Sequence, residues 1–362
     1  MLNNIEIKGF KSIKEMTLNL KALNILIGPN GVGKSNFISL FNMINKIIEQ
    51  KLQIFVGQSG GVDSLLYYGQ KTTSELSVKL SFESNIYQFS LVPTLDNTLI
   101  FSEEVCFYQA PGYSKPYDEK LGTGHKETRL YEESKIKPKK VASHVLDTIK
   151  NWKVYHFHDT STTAKMKQDA DVDDNSIFRP DAANLASYLF FLRQKHSQNY
   201  KNIIDTIHMV YPFFNDFVLR HNPLNNRLIK LEWQEKDSDA YFNTHSFSDG
   251  TLRFICLVTL LMQPHLPSTI LLDEPELGLH PYAITLLANL LKSAAAKTQV
   301  IVSTQSVTLV NQFKPEDIIV VDRNEKERQS TFKHLKEEDT KSWIEEYGLG
   351  DLWEKNIIGG RP

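Results

Sequence analysis

Residues 23–35 read Leu-Asn-Ile-Leu-Ile-Gly-Pro-Asn-Gly-Val-Gly-Lys-Ser. An apolar strand, Leu23 to Ile27, runs into a loop of pattern Gly, four residues, Gly-Lys-Ser, and an amphipathic helix begins near Ser35. Gly28, Gly31 and Gly33 allow a turn tight enough for successive N–H groups to face a triphosphate, with the positive end of the helix behind them. The run Gly28, Pro29, Asn30, Gly31, Val32, Gly33, Lys34, Ser35 and Asn36 is therefore expected to contact ATP. Lys34 would bridge the outer phosphates, and the Ser35 hydroxyl would be a ligand of Mg²⁺. The plain alternative, a glycine-rich strand-to-helix turn that binds nothing, is weakened by what stands downstream.

Residues 268–276 read Ser-Thr-Ile-Leu-Leu-Asp-Glu-Pro-Glu, a buried apolar strand ending in carboxylates, which is the Walker B arrangement. Asp273 is placed to hold Mg²⁺ through water, and Glu274 to orient or deprotonate the attacking water. Upstream, residues 247–253, Phe-Ser-Asp-Gly-Thr-Leu-Arg, precede an apolar helical stretch through Met262. An ordinary helix start with Ser248 or Asp249 as N-cap accounts for that run locally.

Together these residues carry a resemblance. Ser248 to Thr251 resembles the signature loop of ATP-binding-cassette ATPases. Asp273 to Pro281, Asp-Glu-Pro-Glu-Leu-Gly-Leu-His-Pro, resembles the Walker B and D-loop of the RecF/SMC-like branch, and Ile7 to Ile13, Ile-Lys-Gly-Phe-Lys-Ser-Ile, is similar to that branch's opening strand. The likeness covers roughly residues 1–100 and 244–325 and extends to Tyr155–Ser161. It groups the chain with bacterial ATPases related to the overcoming-lysogenization-defect (OLD) enzymes. The resemblance implies an α/β P-loop ATPase of ABC type, with a mixed sheet, an antiparallel β meander and an inserted helical region. The expected parts are an N-lobe over 1–100, an inserted loop and helical region over 101–243, a C-lobe over 244–326 and an extension over 327–362.

It also implies a head-to-tail homodimer, with a higher oligomer left open, in which Ser248 and Gly250 touch the γ-phosphate held by the other subunit. Lys11 and Ser12 would meet the nucleotide from the opening strand. Two departures matter. Asp249 stands where many cassettes have glycine, and a carboxylate facing a triphosphate is repelled unless it points away or meets a cation. Gln305 stands where a switch histidine is common; an amide can donate to the γ-phosphate but cannot become cationic, so hydrolysis is expected to be slow. The glutamine that usually lies in the Q-loop is not identifiable, with Gln58 and Gln70 both candidates.

At 362 residues and 41% hydrophobic, the chain can bury one large core plus an inserted region, and a formal net charge of −2 exerts no overall pull on nucleic acid or membrane. Its two cysteines, Cys106 and Cys256, read as buried free thiols of a cytoplasmic protein. No apolar run approaches a membrane span, and no sustained heptad pattern crosses residues 100–243, so the long coiled-coil arms of SMC relatives are not expected. Along the chain, Leu76–Phe82 and Ile86–Val92 alternate as meander strands, and Gln109–Lys140 reads as loop. Asp181–Lys195 and Tyr200–Phe217 read as helices, the second broken at Pro212. Lys135, Lys137, Lys139 and Lys140 form a charged stretch that reads first as a solvated linker. His156, His158 and Asp159 could suggest a metal site, with both histidines on one face of a strand, but without a third cluster the preferred reading is a strand that leads to a Q-loop-like segment beside the nucleotide.

The function expected from the resemblance is a slow, Mg²⁺-dependent, nucleotide-gated ATPase that controls a separate effector such as a TOPRIM or HNH nuclease in anti-phage defence. DNA remains an open partner and no membrane is expected. A RecF-like DNA repair ATPase is the main alternative, and a transporter's nucleotide-binding subunit the weaker one.

Overall fold

The computed structural model of the chain describes residues 1–109, 112, 116–136, 141–340, 343 and 347–360. In chain order its strands are β1 (Asn4–Phe10), β2 (Ile13–Asn19), β3 (Leu23–Ile27), β4 (Leu76–Phe82), β5 (Asn85–Pro93), β6 (Leu99–Tyr108), β7 (Tyr117–Gly122) and β8 (Trp152–Tyr155). They continue with β9 (Ala170–Asp171), β10 (Phe214–Asn222), β11 (Asn225–Glu235), β12 (Tyr241–Asn243), β13 (Thr269–Asp273), β14 (Gln299–Thr304), β15 (Ile318–Asn324) and β16 (Gln329–His334). The longer helices are α1 (Lys34–Ile48), α2 (Leu52–Gln58), α3 (Leu130–Ile136), α4 (Val141–Lys150), α5 (Leu185–Lys195), α6 (Ser197–Val210), α7 (Asp249–Leu261) and α8 (Pro281–Ala295).

A six-stranded sheet in the order β16-β15-β3-β14-β13-β8 carries the phosphate loop. From β15 to β8 its neighbours are parallel, and β16 closes one edge antiparallel to β15. A parallel sheet covered on both faces needs apolar residues at every position, not at alternate ones, and β3 and β14 are buried throughout. Because successive side chains point to opposite faces, the sheet feeds two cores. Leu26, Leu271, Ile301 and Ile319 join α1, α4 and the N-terminal strands, whereas Ile25, Leu272, Val302 and Ile318 join α5, α6, α7 and α8. In the first core Trp152 lies 5.4 Å from the Phe41 ring and 5.6 Å from the Phe82 ring, closing the space between α1 and the second sheet.

That second sheet is the expected meander, six antiparallel strands in the order β2-β1-β4-β5-β6-β7. The third sheet joins β10, β11 and β12, with β9 beside β11. The boundary expected near residue 100 therefore falls inside the continuous strand β6. The 101–243 stretch contributes β8 to the central sheet, and β16, past residue 326, also belongs there.

Several local expectations are corrected. Gln109–Lys140 is not all loop: β7 pairs with β6, and α3 follows. In β7 only Glu119 and Leu121 are buried, so the apolar alternation that marks a strand is missing. Helix α6 ends at Val210, and Phe214–Phe217 belongs to β10, because Pro212 cannot continue the helical hydrogen bonds and β11 supplies a ladder instead. The glycines at 57–61 close α2, a helix the sequence reading did not assign. Strand β8 stops at Tyr155, so His156 and His158 lie beyond it, with rings 6.3 Å apart.

Among the described residues, no group of three or more His, Cys, Asp or Glu could hold a metal ion by itself. Lys137, Lys139 and Lys140 lie outside the described residues, and Lys135 packs over the Tyr131 ring at 4.4 Å. Cys106 and Cys256 are buried and free. No described helix is long and apolar enough to cross a membrane.

The cost of disturbing the central sheet follows from its burial. Ile301 is fully buried in β14, so Ile301→Ala is expected to lower stability by about 2–5 kcal/mol, read as a fall in the urea midpoint. A loss below about 1 kcal/mol would mean that the two cores relax around this position.

Candidate active site

The parallel strands bring three loops to one edge. Strand β3 ends at Ile27, and Gly28 (φ 153°), Gly31 (φ 80°) and Gly33 (φ 117°) turn the chain into α1. At two of these positions space as well as φ demands glycine. A Cβ on Gly28 would lie 2.1 Å from the Val321 carbonyl oxygen, and one on Gly33 2.2 Å from the Ser330 hydroxyl. Ser330 donates to the Val32 carbonyl and contacts Ser12 at 2.7 Å, while Asn36 donates to the Ser12 hydroxyl at 2.7 Å. The β1–β2 turn thus braces the loop, and Lys11 in that turn donates to Ser39 at 2.8 Å.

Lys34 is 4% exposed. Its amine is folded back onto the loop, donating to the carbonyls of Gly28 at 2.5 Å and Pro29 at 3.0 Å. Burial pulls this amine below the usual lysine range, while the negative charges of Glu274, Asp273 and Glu276 pull it upward. Pro29 is half-buried, and Asn30 and Ser35 are exposed at the loop rim. Beside the loop opens a cleft of about 920 Å³, whose lining includes Lys11, Ser12, Asn36, Tyr68, Gln70 and Arg323. Gln70 is among the residues that line this cleft; Gln58, the last residue of α2, is not, although its neighbour Ser59 is.

The acidic strand β13 delivers Asp273 with its Oδ1 buried and without a protein partner. Glu274 follows at φ 44°, a conformation costly for a residue with a Cβ. Its backbone N–H is held by the Ser303 carbonyl at 2.8 Å, and its carboxylate accepts from the Gln305 amide. Glu276 is buried one turn on and accepts from the Thr304 hydroxyl at 2.5 Å and the Gln305 backbone N–H at 3.1 Å. Burial pushes the Glu276 carboxyl above the usual range, and its Oε2 lacks a partner. Gln305, expected at the switch position, is thus held by both glutamates.

Of the two readings of residues 247–253, the structure shows the helix start. Ser248 is the N-cap of α7, accepting from Thr251 N–H at 3.1 Å, and Gly250 is packed so closely on the D-loop that a Cβ there would lie 2.1 Å from the Gly278 carbonyl oxygen. Asp249 does meet a cation: Lys167 lies 3.9 Å from its carboxylate.

With this geometry in view, comparison with known proteins is informative. Residues 23–311 match the family described as "AAA domain, putative AbiEii toxin, Type IV TA system". The chain belongs to this family. No curated protein matches the sequence. Among solved structures, this AAA domain is similar to the SmcHead bound to the C-winged helix domain of ScpA, at 16% identity and TM-score 0.60, covering 94% of this chain and 99% of that one. It is also similar to the Smc head domain with an extended coiled coil bound to the C-terminal domain of ScpA, from Pyrococcus furiosus, at 16% identity and TM-score 0.54, covering 95% and 98%. The AAA domain therefore has the fold of SMC heads.

Four residues make contacts that the sequence alone did not assign. Arg253 donates to the carbonyls of Phe157 (3.1 Å), His158 (2.9 Å) and Leu277 (3.0 Å), stapling α7 to the segment after β8 and to the D-loop. His158 in turn contacts the Asp273 carbonyl at 2.8 Å. Glu276 was visible as part of Asp-Glu-Pro-Glu, but its grip on Gln305 depends on β13 and β14 being neighbours. Lys167 carries no motif at all.

The raised Glu276 carboxyl makes a testable statement about stability. The folded chain holds this proton more tightly than the unfolded chain does, so the fold loses stability as pH rises from the ordinary glutamate range through the raised value. Glu276→Gln keeps an acceptor for Thr304 and Gln305 while removing the charge. The nucleotide- and metal-free variant should melt higher than wild type at neutral pH, and that part of the decline should vanish. Superimposable Tm–pH profiles in calorimetry would contradict it.

Proposed function

We propose that this protein binds ATP with Mg²⁺, closes head to tail with a second copy around two nucleotides, and hydrolyses them slowly, so that nucleotide occupancy gates a separate effector. The observation that carries this reading is the convergence of the loop after β3, whose Lys34 amine feels the charges of Glu274 and Asp273, with the Glu274–Gln305 contact at the ends of β13 and β14, beside a buried Asp273 oxygen that no protein group satisfies.

The donor set fits a hard divalent cation. Asp273 offers a carboxylate oxygen and Ser35 an exposed hydroxyl, and Mg²⁺ in nucleotide sites is held by few protein oxygens plus substrate phosphates, not by an all-protein cage. Bound there, Mg²⁺ would supply charge neutralisation to the outer phosphates. Lys34 would exchange the carbonyls of Gly28 and Pro29 for phosphate oxygens, and the N–H groups of Gly31 to Ser35 would cradle the rest. Glu274 would orient the attacking water and accept its proton. Gln305, already donating to Glu274, would contact the γ-phosphate without adding positive charge, which supports slow turnover. From the second copy, Ser248 and the N–H of Gly250 would complete the phosphate shell at the positive end of α7.

The biological role follows the resemblance to OLD-related ATPases. We propose that the surface of residues 101–243 reads a trigger or effector, and that the effector is a separately encoded nuclease of TOPRIM or HNH type in anti-phage defence. The division into an N-lobe over 1–100, a C-lobe over 244–326 and a tail over 327–362 is part of this proposal as a division of roles along the chain, not of sheets, since β6, β8 and β16 cross it.

Lys34→Ala is expected to abolish ATP binding in calorimetry, and Glu274→Gln to retain it while trapping an ATP-dependent dimer in ultracentrifugation. Wild-type turnover is expected to stay below about 10 per second, a typical enzyme value. Phage restriction in cells should be lost in both variants; full restriction by either would sink the defence role.

A further inference from the structure

The segment from Thr160 to Gln168 lies against the signature loop and is anchored from both sides. Ala164 and Met166 are buried in the same core as α7, and the Cys256 thiol of α7 meets the Met166 sulfur at 3.9 Å. The Thr244 hydroxyl, just upstream of the signature, donates to the Lys167 carbonyl at 2.9 Å. Lys167 is thereby fixed with its side chain only 6% exposed, and its amine donates to the Thr160 carbonyl at 2.6 Å. Two carboxylates lie near that charge: Asp249, whose Oδ1 is 3.9 Å away, and Asp159, whose carboxyl is held below the usual range chiefly by its hydrogen bonds to Ser161 and to a lesser degree by Lys167. Asp159 on the same segment accepts from the Ser161 N–H at 3.0 Å.

Withdrawing an ammonium from water is costly unless it is paired, so a buried lysine here calls for a reason. Asp249 gives one. It is the first residue of α7, its side chain is 62% exposed, and a carboxylate there occupies the positive end of the helix. In the proposed dimer the same helix end receives the partner's triphosphate. An uncompensated Asp249 would repel that triphosphate.

We infer that Lys167 is the cation that allows this signature loop to accept a nucleotide in trans: from its buried position it offsets the charge of the exposed Asp249 carboxylate at the helix end that would face the partner's γ-phosphate. The inference rests on the head-to-tail reading above. It assigns Lys167 a positioning and electrostatic role in the composite site, supplied by a segment far in sequence from the signature.

The test uses the full-length protein carrying Glu274→Gln, with dimerisation by ATP and Mg²⁺ measured in ultracentrifugation. Lys167→Met, which keeps the buried stem and removes the charge, should weaken dimerisation by about tenfold or more. Nucleotide affinity of the isolated subunit, set by its own phosphate loop, should stay within about twofold. Adding Asp249→Asn should restore most of the lost dimer, a rescue that damage to folding would not allow. Asp249→Asn alone, which leaves the Lys167–Thr160 bond in place, should tighten dimerisation.

Undiminished dimerisation in Lys167→Met overturns the inference. So does a loss that Asp249→Asn fails to rescue, which would make Lys167 a brace for the Thr160 loop only, and so does equal or weaker dimerisation of the Asp249→Asn single variant. If the Glu274→Gln parent itself stays monomeric with saturating ATP and Mg²⁺, the dimer reading fails first and takes this inference with it.

Discussion

One row of buried side chains sets the height of everything at the site. Ile318, Ile25, Val302, Leu272 and Tyr155 are paired in succession across β15, β3, β14, β13 and β8, and each is buried. From that row the chain leaves each strand after a fixed number of residues. Gly28 and Gln305 come three residues beyond it on β3 and β14, Asp273 and Glu274 one and two beyond it on β13, and His156 one beyond it on β8. A slip of one residue in any of these pairings would exchange the two faces of a strand, moving Ile301 into the core of Val302 and lifting the reactive residues out of register. Burial on both faces makes such a slip costly, and this is what lets four short strands hold loops from distant parts of the chain in one arrangement.

The loops are also tied to one another directly. Arg253 joins the signature helix to the D-loop and to the segment that follows β8, and His158 on that segment reaches the backbone of Asp273. Gly250 and Gly278 pack backbone to backbone. In the proposed dimer, the surface facing a second copy and the acids at the tip of β13 would therefore share a hydrogen-bonded connection. A displacement of α7 on dimerisation would reach Glu274 through Leu277 and Asp273, and Glu274 already sits in an unfavourable backbone region, held by Ser303 and Gln305. Such a residue is readily moved between two arrangements.

Much of the fold was legible because periodicity and glycine placement are local signals. The phosphate-loop unit, the meander strands β4 and β5, the acidic strand and the helix after it are bounded close to where the residues predict them. Other elements were not legible. Strand β7 exists because β6 offers it a ladder, although its own sequence turns a glutamate inward. Strand β10 begins with residues that continue the apolar spacing of α6, and only pairing with β11 decides that they extend. His156 and His158 belong to no shared strand face because β8 is short, and its length is set by how far β13 runs beside it.

What the sequence by itself determined is the chemistry of the nucleotide end: glycines that permit a tight anion-binding turn, a lysine and a serine after it, and two carboxylates at the tip of an apolar strand. These are short-range requirements, each met within a few consecutive residues. Only the tertiary structure decided which groups act on one another across the chain: Glu276 holding the backbone of Gln305, Arg253 tying α7 to two loops, Ser330 bracing the phosphate loop, and Lys167 standing against Asp249. Those contacts arise where strands and helices far apart in sequence are packed side by side. No spacing along the chain records them, because the distance that matters is set by burial of the two cores and not by residue number.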